Sequence, residues 1–246
     1  MVDRLQWRDW RSRSRELNVD LRLEPMDLAL LTRTLGWPEF GGALSGRLPG
    51  LRLTQDGAVF DGALDVNLFD GRARIDGLTV ERPFGTLPAV AAEIEFEALD
   101  LKLVTRAFEF GRMQGRMSGH LRDLRLLDWQ PVRFDAWFQT LDDAGTRRIS
   151  QQAVDSLSTL GGGGSAMLSG TLLRMFEDFP YRRVGLGCRL ENNICGMRGL
   201  KPTEGGGYLI VEGRPFPVLN VVGHRQRVDW PRLLAQLAAI TAAPEE

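Results

Sequence analysis

The 246-residue chain lacks the composition of a membrane span: with 43% apolar and 26% charged residues it is expected to be soluble, with enough apolar side chains for a large core. Its opening, MVDRLQWRDWRSRSREL, holds five arginines but no apolar segment of the kind that makes a secretion signal or an anchor. Excess charge is missing too. A net charge of -1 and a pI near 6.2, with arginines spread along the expected strands, argue against DNA or RNA as a partner. Histidine is scarce: His120 and His224 stand without a partnered nucleophile or a carboxylate pair nearby in sequence, so no catalytic residue is assigned and both are expected to be exposed and structural. The run from Gly161 to Gly164 is not followed by Gly-Lys-Ser/Thr, which excludes a phosphate cradle of that type and leaves a flexible helix stop. The two cysteines are accompanied by no second cysteine or histidine pair, so no metal is expected, and no cofactor either.

What the chain does have is a stretch it contains twice. Residues 17–53 recur at 90–126, 73 positions later without a gap, with central decamers EPMDLALLTR and EALDLKLVTR. From Glu24 to Leu53 the copies share 13 of 30 residues, Asp27/Asp100, Ser45/Ser118 and Gly46/Gly119 among them, which points to duplication and to stacked units. Each copy opens with strict alternation, Leu17, Val19, Leu21, Leu23 and Val90, Ala92, Ile94, Phe96, the period of a strand with one apolar face. Asp27 and Asp100 then stand where a helix N-cap belongs, before DLALLTR and DLKLVTR. An apolar phase shift falls at the same place in both copies, Pro49-Gly50 and Arg122-Asp123, and predicts a bulge in each.

Between the copies, Asp56-Gly57 and Asp70-Gly71 predict two-residue hairpins joined by a 12-residue strand. Folding on those turns sets Leu53 opposite Phe60, Leu51 opposite Gly62, Leu68 opposite Ala73 and Val66 opposite Ile75, with Leu64 on the same side, and lets Arg52 meet Asp61 on the other. The expected apolar face comprises Leu51, Leu53, Phe60, Leu64, Val66, Leu68, Ile75, Ile94, Phe96, Leu124, Leu126 and Phe134. It is either a core covered by helices or a groove open to acyl chains, since large exposed apolar surface generally meets a ligand or partner.

After Ile149 the pattern turns helical through Ala153, Leu157 and Leu160 up to the glycine run; Leu168, Leu172, Leu173, Phe176 and Phe179 form a second amphipathic stretch ended by Pro180. A turn at Glu191-Asn192 would set Cys188 directly opposite Cys195, and a disulfide closing that eight-residue loop would contribute about 2.5 kcal/mol. A disulfide favours an oxidising compartment, with export then encoded in a longer chain of which this is a segment; two reduced cysteines on an apolar face are the alternative. Strands follow at YLIVEG from Tyr208 and PVLNVV from Pro217. A last helix is capped by Asp229, with Leu233, Leu234, Leu237 and Ile240 as its stripe.

The fold expected is mainly β with short α-helices: a long twisted antiparallel sheet, curved into an open groove and built from duplicated strand-helix-strand units. The divisions are 1–16, an N-terminal arm or strand; 17–89 and 90–148, two β-groove repeats; and 149–246, an α+β region with the cysteine hairpin. The segments ISQQAVDSLSTLGGGG, LLRMFEDFPYRRVGLGCRLENNICGM and GYLIVEGRPFPVLNVVGHRQRVDWPRLLAQL resemble the C-terminal region of the AsmA-like envelope proteins, most closely the YdbH branch, a region that carries the label "dicarboxylate transport". The resemblance covers about the last hundred residues, and the duplicated β units fit the same architecture. It implies a periplasmic segment of a bridge that carries phospholipid between inner and outer membrane along an apolar groove. It further implies an inner-membrane helix preceding these residues and a small outer-membrane lipoprotein at the C-terminal end of the sheet. A scaffold for outer-membrane protein assembly, as in the related TamB branch, and a periplasmic carboxylate-binding protein are the other readings.

Overall fold

The structure, a computed structural model, describes residues 2–8, 16–27, 42–53, 57–60, 62–82, 85–142, 145, 147–162, 177–215 and 218–241. These residues form sixteen strands and three short helices. The fold is mainly β, and the hydrogen-bonded order β1-β2-β3-β4-β6-β7-β8-β9-β11-β12-β16, with β5 between β3 and β6, does not close on itself. Two compact units divide the chain, Met1–Glu97 with His120–Asp135, and Ala98–Gly119 with Ala136–Glu246. The division falls within three strands, not at the ends of the sequence copies.

In the first unit β1 (Val2–Arg8), β2 (Glu16–Asp27) and β3 (Gly42–Leu53) pair antiparallel in succession. Val19 lies opposite Leu51 but Leu21 opposite Leu48, so one extra residue is accommodated at Pro49-Gly50, the bulge the sequence pattern predicts. That bulge also interrupts the next strand. Proline has no N–H to donate to a ladder. The expected 12-residue strand is accordingly broken into β4 (Gly57–Val59) and β5 (Leu64–Leu68), each pairing with its own half of β3. Leu53 pairs with Ala58 and Arg52 with Val59, while the Phe60 amide donates to the Leu78 carbonyl, so the predicted pairs of Leu53 with Phe60 and Leu51 with Gly62 do not form. Asp61 lies outside the described residues.

The turn into β6 (Gly71–Glu81) uses Phe69 and Asp70, with φ of 50° and 55°, one residue earlier than Asp70-Gly71. Left-handed backbone at Phe69 costs about 1–2 kcal/mol, and burying its ring, 8% exposed, offsets that by a similar amount. The result is Val66 opposite Ala73 and Leu64 opposite Ile75, two positions from the predicted register. A slip of two leaves every side chain on its expected face. β7 (Ala89–Asp100) completes the ladder, and Asp100 Oδ1 accepts the Lys102 amide at 2.8 Å to cap α1 (Leu101–Ala107), as expected. The helix predicted after Asp27 lies outside the described residues. β2 and β7 are both 12 residues long and end on the paired aspartates, yet Ala98 has a φ of 50° and donates its amide to Ser118 Oγ, where the first copy has Pro25 and no amide to donate. In β8 (Arg116–Leu127), Asp123 has a φ of 54° and its amide donates to Glu93 Oε1 at 3.0 Å, at the second predicted bulge.

The second unit holds the large core. From the end of β9 (Gln130–Thr140) the chain reaches β10 (Arg148–Ser150) and α2 (Gln151–Leu160). Ser150 Oγ caps α2 by accepting the Ala153 amide and also takes the Arg112 amide at 2.9 Å. Gly161 ends it, as expected, and the Gly161 carbonyl accepts the amides of His224 and Arg225. Ala153, Val154, Leu157 and Leu160 pack with Phe179, Tyr181, Ile210, Val211 and Val221. β11 (Asp178–Glu191) already includes Phe179 and Pro180, which pair with Ile149 and Arg148, so the expected helix does not extend to Phe179; its other apolar positions lie outside the described residues. β12 (Ile194–Gly199) follows β11 through a turn at Asn192 and Asn193, with φ of 51° and 60°. Asparagine tolerates left-handed backbone better than glutamate. Leu190 therefore faces Cys195 and Cys188 faces Met197, again two positions from the prediction, and the cysteines meet diagonally in a disulfide (S–S 2.05 Å, Cα–Cα 5.5 Å).

β13 (Lys201–Pro202) and β14 (Tyr208–Gly213) pair, and β14 also lies between β11 and β15 (Val221–Gly223), a shorter strand than PVLNVV predicts. After β16 (Arg227–Asp229), Asp229 Oδ1 accepts the Arg232 amide at 3.1 Å and starts α3 (Trp230–Thr241). Leu233 is buried and Leu237 packs on the core, whereas Leu234 is exposed and not part of the stripe.

Tyr208 gives this core a pH signature. Its hydroxyl donates to the Arg225 carbonyl, and burial pushes the phenol up to about 12. The unfolded phenol ionises near 10, so the stability tied to Tyr208 is intact below pH 10 and falls as the pH rises from there toward 12. The phenolate absorbance that distinguishes the protein from Tyr208→Phe should appear only near pH 12 or with unfolding; a midpoint near 10 in folded protein would refute it.

Candidate functional site

The candidate site is the apolar side of β5, β6 and β7 in the first unit, next to the backbone of β3. Register and pleat together sort the residues into rows. Leu44, Val66, Ala73 and Phe96 are paired across four strands, and so are Gly46, Leu64, Ile75 and Ile94. Ser45, Asp65, Arg74 and Glu95 form the intervening row, with Ala43, Asn67, Arg72 and Glu97 beyond. Successive side chains of a strand point to opposite faces, so Val66, Ala73, Phe96, Leu64, Ile75 and Ile94 share one face and Asp65, Arg74, Glu95, Asn67, Arg72 and Glu97 the other, while the side chains of Leu44 and Ala43 lie outside the described residues.

Contacts within the apolar rows join Val66 and Ala73, both buried, with Leu68, Ile75, Ile94 and Phe96, which are half-buried. The centre of the face is nearly dry while its flanks keep accessible apolar surface. Leu64 is half-buried in the adjacent row, and Leu124 and Leu126 are half-buried on β8, alternating with exposed Asp123 and Arg125. Phe134 is buried on β9. Phe60 is half-buried but follows β4 outside the ladder. The backbones of Leu51 and Leu53 pair with Val19 and Leu17; their side chains lie outside the described residues. Ala73 belongs at the centre of the site although alanine is a weak apolar signal; its place between Arg72 and Arg74 in a strict alternation is what marks it.

The opposite face is ionic. Arg74 Nε lies 3.1 Å from Asp76, and Arg122 reaches Glu95 at 3.2 Å. Such exposed pairs contribute roughly 0–1 kcal/mol each, so they fix which face meets water more than they hold the strands together. His224 is exposed and His120 half-buried. Among the described residues no three His, Cys, Asp or Glu side chains are grouped as a metal site would need, and no helix is long and apolar enough to cross a membrane. What the described residues of this unit present is an apolar surface on one face of the sheet and charged side chains on the other.

The sequence was compared with protein-family models, curated proteins and solved structures, and none of them matches.

Proposed function

We propose that this chain is a periplasmic segment of an AsmA-like intermembrane bridge of the YdbH branch, and that the apolar rows of the first unit carry phospholipid acyl chains. The observation that supports the reading is the pair of three-strand apolar rows, Val66-Ala73-Phe96 and Leu64-Ile75-Ile94, on strands whose other face is ionic. An open ladder can be extended by further repeats, and bulges such as the one at Pro49-Gly50 bend a sheet toward a groove. In this reading the inner membrane is reached through a helix outside these residues, and the small outer-membrane lipoprotein docks on the C-terminal strands. β15 has β14 as its one strand neighbour among the described residues, which leaves an edge for strand addition. The scaffold reading draws on the other end of the sheet, where β1 pairs with β2 alone among the described residues.

The test is chemical. Protein exported to the periplasm, purified without detergent and extracted with organic solvent, should yield phospholipid in a fixed ratio to protein. Extracts with no more lipid than those of an unrelated periplasmic protein would remove the conduit reading and leave the scaffold.

A further inference from the structure

The face of β11, β12 and β16 turned away from the core of the second unit carries a row of arginines with no part in the apolar site. Leu190, Cys195 and Val228 are paired in register and buried. One residue along each strand, Arg189, Gly196 and Arg227 are paired in register on the other face, with both arginines exposed. They flank β12 from its two sides, about 10 Å apart at two strand spacings. Between them the floor is bare: a Cβ built at Gly196 would meet only the Arg189 carbonyl, at 3.6 Å.

The next row adds a third cation. Arg198 is paired with Gly187, its guanidinium lies 5.6 Å from the Trp137 ring centroid, and it donates to the Ala136 carbonyl at 3.2 Å, so its head is held in place. Two acids face the arginine row from its other side, Glu191 and Asp229, and Asp229 is engaged in capping α3. Charge in the wider segment has the same sign. Residues 181–232 hold nine Lys and Arg against four Asp and Glu, in a chain of net charge -1.

We propose that Arg189, Gly196 and Arg227, with Arg198 beside them, form a binding site for a phosphate-bearing anion. Guanidinium presents paired N–H donors that match phosphate oxygens, and arginines on the two strands either side of a side-chain-free floor are placed to reach one anion between them. A soluble phosphate and a phospholipid headgroup offer the same oxygens. The site needs no apolar surface and lies in the other unit, so it stands apart from the acyl-chain reading.

The full chain is titrated with inorganic phosphate, and separately with vesicles of phosphatidylcholine with and without phosphatidylglycerol. Arg227→Gln should weaken binding about tenfold, the loss of one charge-assisted contact, and Gly196→Val should weaken it at least as much by occupying the space the anion would fill. Gly196→Val keeps every charge and fills the floor, so it separates a built site from diffuse attraction. Gly196→Ala serves where circular dichroism shows that valine disturbs the fold. Phosphate binding weakened by these variants assigns the site to a soluble ligand, and vesicle binding alone weakened by them assigns it to a headgroup. Binding to neither probe, or binding that the Gly196 variants leave unchanged, overturns the proposal.

Discussion

Phe179→Ala is expected to lower the stability of the second unit by about 3–5 kcal/mol, the range for removing a fully buried aromatic ring. Phe179 is wholly buried in β11, opposite Ile149 and within the cluster that α2 closes through Ala153, Val154 and Leu157. Hydrogen bonds on β11 close to Phe179 hinder the surroundings from collapsing into the space left, because Thr140 Oγ1 takes the Val184 amide and the Pro180 carbonyl takes the Arg214 amide. The denaturation midpoint should fall steeply with the m-value unchanged. A loss below about 1 kcal/mol would mean the ring is not in a packed core, as a position at the end of an exposed helix would have it.

Val66→Asp should have the largest effect on the first unit. Val66 sits at the centre of the apolar rows, paired with Leu44 and Ala73, and is 7% exposed. An ionised carboxylate there loses its hydration without gaining a partner, a penalty of several kcal/mol that the side chain escapes by binding a proton. Its folded pKa is thus raised, so the destabilisation is full at neutral pH and fades as the pH falls through the carboxylate range. Val66→Thr, nearly the same in volume and uncharged, should lose much less. Bound lipid should drop in Val66→Asp under conditions where circular dichroism still shows the sheet, and hold in Val66→Thr. A carboxylate variant as stable as the parent at neutral pH would place Val66 in water and dissolve the face.

Faces were more legible in this sequence than registers. Alternation in DGRARIDG and AEIEFEAL sets Ala73, Ile75, Ile94 and Phe96 on one side, and the structure keeps them there because each misjudged turn slipped by two residues, which preserves the pleat. The turns themselves were chosen by competition that local motifs do not contain. Asp70-Gly71 is the stronger dipeptide, but moving the turn to Phe69-Asp70 buries a ring. At the cysteine hairpin Asn193 beside Asn192 takes the left-handed pair of positions, for which asparagine is better suited than Glu191. The bulge at Pro49-Gly50 was readable from the apolar phase, whereas its consequence one strand away, the break between β4 and β5, required knowing which strand would pair with a proline. Aspartate caps at Asp100 and Asp229 follow from side-chain chemistry alone, and both are present in the structure. The arginine row of the second unit is not legible locally: Arg189 and Gly196 share the cysteine hairpin, but Arg227 lies 31 residues beyond Gly196 and joins them only through the β12–β16 ladder.

Adjacent residues on opposite faces make the sharpest test of the proposal that the apolar face binds acyl chains. A photoreactive amino acid placed at Ile75, in the apolar row with Leu64 and Ile94, should capture phospholipid in the periplasm of living cells, identified by the mass of the adduct. The same probe at Arg74, one residue away in the ionic row with Asp65 and Glu95, should capture none. Equal capture at both positions, or none at Ile75 in a folded protein, would contradict an apolar face built to hold lipid.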